Sequence, residues 1–96
     1  MLRADYSPRF CKDYKRLSRK RYDMKLLDEV IALVLTDDDE SKRTLVNRHN
    51  MHRLKGNFSG AYECHVANIG DWLLVWQTGN GIAFFARTGK HDEIFG

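Results

Sequence analysis

No stretch of the sequence reaches the roughly 18 consecutive apolar residues that a membrane span needs. The segment from Met1 to Phe10 has no apolar run followed by a small-residue cleavage site, so a chain that is neither membrane-bound nor secreted is expected. Proline occurs once, which excludes collagen-like and proline-rich disordered chains. Cysteine occurs twice, as Cys11 and Cys64. These two can form at most one bridge and match no zinc or redox spacing, so a disulfide framework is excluded and a reducing cytoplasm fits. A phosphate-cradling glycine loop is absent as well, because Gly79 and Gly81 sit between two strand-like runs with no helix following to hold an anion.

What remains is an ordinary globular composition. The 96 residues are 43% hydrophobic, 30% charged and 11% aromatic. That is enough for one core and too little for two, so residues 1–96 are expected to form a single domain. The net charge of +3 is unevenly distributed. Met1 to Tyr22 carries eight basic and two acidic residues, Asp23 to Ser41 one and seven, and Lys42 to Gly96 seven and four. A basic first segment and a basic C-terminal half suit a polyanionic partner such as nucleic acid, although a solvated helix face would produce the same count.

The periodicity divides the chain in two. Leu2 to Tyr6 is short and extended, and Ser7-Pro8 forms an N-cap with proline in the first turn. Phe10, Tyr14 and Leu17 then recur at i, i+4 and i+7, which predicts a helix with one apolar stripe. Asp23 caps a second helix with Leu27, Val30, Ile31 and Val34 facing inward. Asp37 to Glu40 would sit badly at the negative end of that helix, which predicts its stop and an exposed loop to about Arg48. After Gly60 the period falls to two. Tyr62, Cys64 and Val66 alternate with Ala61, Glu63 and His65, which predicts a strand with one polar face. Trp72 to Gln77 and Ile82 to Ala86 flank the turn formers Gly79, Asn80 and Gly81, which predicts a tight hairpin of two central strands. The expected class is α+β in two layers: an N-terminal strand, a helical hairpin, then a mainly antiparallel sheet of about four strands.

Three of the four histidines fall near the ends of these strands: His52, His65 and His91. Asp71 opens the next strand. Imidazole titrates near neutrality, so such a cluster can accept one proton and give another. A solvated strand histidine is the plain alternative for His65, and His49, in the predicted loop, is given no role. Zinc finds little support, since His52, His65 and His91 lack the close pairings of metal motifs and no fourth ligand is supplied.

In order, the chain contains His52-Arg53-Leu54-Lys55-Gly56, Glu63-Cys64-His65, Asp71-Trp72-Leu73-Leu74, Arg87-Thr88-Gly89-Lys90-His91 and a closing Phe95-Gly96. With the preceding basic helical hairpin, this resembles the YafQ branch of the RelE/ParE superfamily of bacterial type II toxins over nearly the whole chain. The resemblance implies a RelE-like fold and a ribosome-dependent mRNA endonuclease that uses no cofactor or metal and is silenced by a cognate antitoxin. It further implies that DNA is met only through the antitoxin complex at its operator. By the same resemblance His52, His65, Asp71 and His91 are the catalytic set. Arg87, Trp72, Phe95 and Lys55 are the groups that hold RNA or its phosphates. Such an enzyme needs a base for the 2′-hydroxyl proton, a cation beside the phosphorane and an acid for the departing 5′-oxygen, and it leaves a 2′,3′-cyclic phosphate and a 5′-hydroxyl.

Two features depart from the family pattern. Ala61 and Tyr62 stand where members often carry an aromatic residue and an arginine, so one phosphate cation is missing and more falls to Arg87. The His65 to Asp71 loop is also longer. Within the same superfamily the alternatives are a ParE-like DNA gyrase inhibitor, which has no use for a histidine and aspartate set, and an inactive relative that binds only antitoxin and RNA.

Overall fold

The computed structural model describes residues 1–67 and 70–96, so the long His65 to Asp71 loop lies partly outside the described residues. Among those described, the order is β1 (Arg3–Tyr6), α1 (Pro8–Arg19), α2 (Met24–Thr36), α3 (Asp39–His49), β2 (His52–Arg53), a 3-10 turn (Gly56–Phe58), β3 (Tyr62–His65), β4 (Leu73–Gly79), β5 (Ile82–Gly89) and α4 (His91–Phe95). The strands lie side by side as β1-β5-β4-β3-β2. All pairs are antiparallel except β1 with β5, which run parallel. The expected α+β class is found, with four strands following the helices and β1 joined to the same sheet.

The helix starts follow local chemistry. Ser7 is extended, and its Oγ accepts the Phe10 amide at 2.9 Å while donating to the Ala86 carbonyl at 2.6 Å. One hydroxyl therefore caps α1 and ties it to β5. Asp23 caps α2 through the Lys25 amide at 3.3 Å.

The exposed loop expected from Asp37 to Arg48 is instead α3. Asp37 does end α2, in the left-handed conformation with φ 55°. Asp38 then caps a new helix, its Oδ1 accepting the Ser41 amide at 2.7 Å, and Asp39 and Glu40 occupy the first turn. The acidic run thus lies at the positive end of α3, where it is favourable, rather than at the negative end of α2. Its apolar signal is slight, since Leu45 is the one fully buried aliphatic residue it offers.

The β4–β5 connection is the expected tight turn. Asn80 and Gly81 have φ of 55° and 76°, the left-handed pair that matches the twist of the flanking strands. On one face of the sheet Trp72, Leu74, Trp76, Ala83 and Phe85 pack against Phe10, Leu17, Leu27, Val30, Ile31 and Val34. On the other, Ala61, Leu73, Val75 and Ile94 form a smaller cluster edged by Leu54, Ala86 and Phe95. The predicted polar face of β3 is therefore partly covered: Ala61 and Glu63 are both buried. Among the described residues no helix is long and apolar enough to cross a membrane.

Candidate active site

Strand register gathers the predicted residues at one end of the sheet. His65 pairs with Leu73 and Leu73 with Gly89, so the end of β3, the start of β4 and the end of β5 lie in one row. Asp71 lies two residues before this row, ahead of β4, and His91 follows it by two beyond β5. His52 pairs with Glu63, two residues before His65. Side chains alternate along a strand, so His52, Glu63 and His65 share the face of Leu73, opposite α1, α2 and α3. That face also carries α4, and with it His91 and Phe95.

The hydrogen bonds of this cluster are specific. His52 is exposed, with Nδ1 2.8 Å from the Asn50 carbonyl and Nε2 3.4 Å from Glu63 Oε1. A carbonyl can only accept, so Nδ1 carries hydrogen and Nε2 is the nitrogen turned to the carboxylate. Asp71 Oδ2 accepts the His91 amide at 3.0 Å, which pins the first residue of α4. The His91 ring lies 4.9 Å from that of Phe95, which meets Phe58 edge to face at 4.8 Å. Phe58 is itself exposed, so the three rings form an aromatic strip beside Asp71. His49, which the sequence reading left without a role, is half-buried at the end of α3 with Nδ1 2.8 Å from the His65 carbonyl.

Two of the residues assigned to RNA have other surroundings. Trp72 is buried, its Nε1 donating to Thr88 Oγ1 at 3.0 Å and its ring meeting Tyr22 edge-on at 5.0 Å. At 6% exposure it offers little surface to a base, against the expected direct contact: it packs in the core just before the strand that follows Asp71. Arg87 is half-buried and held by Asp13, to which its Nε donates at 2.8 Å and its Nη2 at 3.3 Å. Lys55 is exposed at the start of the 3-10 turn. Phe95 is half-buried on the open face, between packing and exposure.

Sequence reasoning missed Asp13, Glu63 and Phe58. Asp13 lies on the helix stripe between Phe10 and Leu17 and is fully enclosed. Burial pushes its carboxyl up. Hydrogen bonds from Arg87, Arg16 and the Thr88 amide outweigh that and hold it below the usual carboxylate range. In the sequence its one trace is its spacing, three residues after Phe10 and four before Leu17 on the apolar stripe. The Cys64 thiol is buried and pushed far up by desolvation, which leaves it inert. Among the described residues no three His, Cys, Asp or Glu side chains form a group that could hold a metal ion.

The arrangement can move protons. It offers imidazoles on three segments, a carboxylate orienting one of them, a fixed guanidinium and an aromatic surface, all at one open end of a sheet.

The chain is similar to known proteins over almost its whole length. The family described as "Bacterial toxin of type II toxin-antitoxin system, YafQ" matches residues 2–96. The mRNA interferase toxin YafQ of Escherichia coli strain K12 is 28% identical over 92 residues, covering 96% of this chain and 94% of that protein. The crystal structure of YafQ from E. coli strain BL21(DE3) superposes with a TM-score of 0.85 at 26% identity, with full coverage of both chains. The toxin in the E. coli DinJ–YafQ complex superposes at 0.82 and 27% identity, again with full coverage. A match over almost the entire chain, in sequence and in fold, establishes that this protein belongs to the YafQ family of bacterial type II toxins.

Proposed function

We propose that this toxin is an mRNA interferase that cuts messages on the ribosome, by attack of the RNA 2′-hydroxyl and without a metal. The observation that supports this most is the gathering of His52, His65, Asp71 and His91 at the open end of the sheet, away from the helical core. Relatives with the same fold are mRNA interferases.

Cleavage through the 2′-hydroxyl needs no water nucleophile, only proton transfer and charge stabilisation. Asp71 is already engaged with the His91 amide, so its part is to orient that residue. The proton transfers then fall to imidazoles, one accepting from the 2′-hydroxyl and another donating to the 5′-oxygen. Arg87 holds the phosphate, with Lys55 nearby in sequence to the His52 strand as an exposed cation. A base lifted out of the message stacks on Phe95. The aromatic strip is shallow, and a small enzyme gains much when its substrate arrives already bent for in-line attack. The ribosomal decoding site supplies that bend, and the basic face of α1 docks on ribosomal RNA.

The second part of the proposal is an antitoxin partner, as E. coli YafQ has in its complex with DinJ. Alongside the basic face of α1 runs an apolar cleft between α1 and α2, lined by Tyr6, Phe10, Tyr14, Ile31 and Leu35. It suits an amphipathic, acidic segment. DNA is reached only by that complex, at its operator, and the toxin acts in the cytoplasm.

The test is to map message 5′ ends in cells after brief induction without antitoxin, and to compare purified ribosome-bound with naked RNA. Cuts at fixed codon positions, strongly favoured on the ribosome, are expected, and the residual cutting of naked RNA should be unaffected by chelator. Equal rates on both RNAs would remove the ribosome, and loss of the naked-RNA activity in chelator would remove the metal-free chemistry.

A further inference from the structure

Asp13 is the most enclosed charged group of the protein, at 2% exposure, and its partners converge on one place. β1 pairs with β5 only as far as Phe85, so past that point the edge of β5 has no strand beside it. Asp13 fills the gap, its Oδ2 accepting the Thr88 amide at 3.2 Å as a neighbouring strand's carbonyl would. The same carboxylate receives Arg87 twice and Arg16 Nη1 at 2.9 Å. Arg87 Nη2 also reaches the Glu93 carbonyl at 3.2 Å. The Glu93 carboxylate closes the circuit by charge, its Oε2 3.3 Å from Arg16 Nη2 without hydrogen-bond geometry, while Oε1 accepts the Lys90 amide at 2.8 Å. Gly89 lies inside this ring with φ 146°, and a Cβ there would stand 3.0 Å from both Arg16 Nη2 and Glu93 Oε1. Two arginines and two carboxylates, from α1, β5 and α4, thus encircle the end of β5 just before His91.

Stability alone is a poor account of this ring. Enclosing charges costs about as much as their pairing returns, and apolar side chains of similar volume would hold α1 to β5 equally well. Apolar packing cannot fix the plane of a guanidinium. Two nitrogens of Arg87 are held here, while Nη1 has no acceptor among the described residues. Nor can α4 hold itself, being five residues long with Ile94 as its one buried side chain.

We propose that Asp13 is a positioning residue for cleavage: it fixes Arg87 and, through Arg16 and Glu93, the short helix that carries His91 and Phe95. This rests on the nuclease reading of His91 and Arg87 above. Asp13→Asn keeps the size and one acceptor oxygen but removes the charge that orients both arginines. With the protein folded, the cleavage rate at saturating ribosome-bound message should fall about 10- to 100-fold while the half-saturating concentration stays the same. Leu27→Ala, a core truncation in α2 away from the ring, should lower the melting temperature and keep the saturated rate while folded. A folded Asp13→Asn protein that cuts at the wild-type rate, or whose loss is confined to half-saturation, overturns the proposal. If Asp13→Asn does not fold, the surface variant Glu93→Gln should show a smaller loss of saturated rate, and wild-type rate there overturns it equally. His91→Gln measured in parallel separates the two claims. A slow His91→Gln with a fast Asp13→Asn removes only the positioning role, and a fast His91→Gln removes the nuclease reading with it.

Discussion

The two faces of the sheet are built for different ends. Against α1, α2 and α3 the sheet presents Trp72, Leu74, Trp76, Ala83 and Phe85, all buried. Large apolar side chains such as Leu74 and Phe85 contribute roughly 1.5 to 3 kcal/mol each by leaving water, and Ala83 less. The opposite face has a small cluster around Leu73, Val75 and Ile94, and beyond it the histidines His52 and His91 stand exposed. Most of the apolar packing lies on one side, and the candidate histidines lie on the other. Substitutions should therefore sort by face: apolar truncations against the helices move the melting temperature, those on the open side move the rate, and Asp13, where the two meet, moves both.

The strongest way to break that division is His91→Gln. The residue is exposed and its backbone amide, not its ring, binds Asp71, so the fold should persist while cleavage falls about 10² to 10⁴-fold in a single-turnover assay. Phe85→Ala tests the other side. Its ring is fully enclosed, so denaturant unfolding should show a loss of about 3 to 5 kcal/mol, with the surviving folded fraction cutting normally. A Phe85→Ala protein of unchanged stability but reduced rate would end the comparison.

Acid sharpens it at the point where the faces meet. The Asp13 carboxyl is held below its ordinary value of 3.8, so its contribution to stability is fully present above that value. It is lost as pH falls through the lower folded value. Melting followed by circular dichroism should drop in this acid range, and Asp13→Asn should flatten the drop. The smallest effect is assigned to His49→Gln. It removes one partly buried hydrogen bond to the His65 carbonyl, worth about 1 kcal/mol, and should slow cleavage less than about tenfold.

Much of the helical face was legible because its code is local. Phe10, Leu17, Leu27, Val30, Ile31 and Val34 follow a helical period, and each of them is buried. Ser7 and Asp23 cap where their chemistry says they should. The failures came from signals that local patterns do not carry. The acidic run Asp37 to Glu40 is ambiguous between the end of one helix and the start of the next, and only Asp38's bond to Ser41 decides it. Trp72 is assigned to RNA by resemblance alone, and its burial against Tyr22 and Thr88 comes from distant parts of the chain that no local pattern shows. Asp13 looks like one more polar residue of a basic helix, because Arg87, its main partner, lies 74 positions away. The candidate histidines were visible from type and order, but their shared face depends on pairing between strands, and the part played by Glu63 depends on His52 lying opposite it.

The central claim is that the open face cuts RNA through the substrate's own 2′-hydroxyl. The most direct measurement replaces that hydroxyl with hydrogen at the cleaved nucleotide of a ribosome-bound message and follows cleavage at that position. The unmodified message should be cut to a 2′,3′-cyclic phosphate and a 5′-hydroxyl, and the 2′-deoxy message should stay intact there. Cleavage of the deoxy message at an undiminished rate would contradict the account.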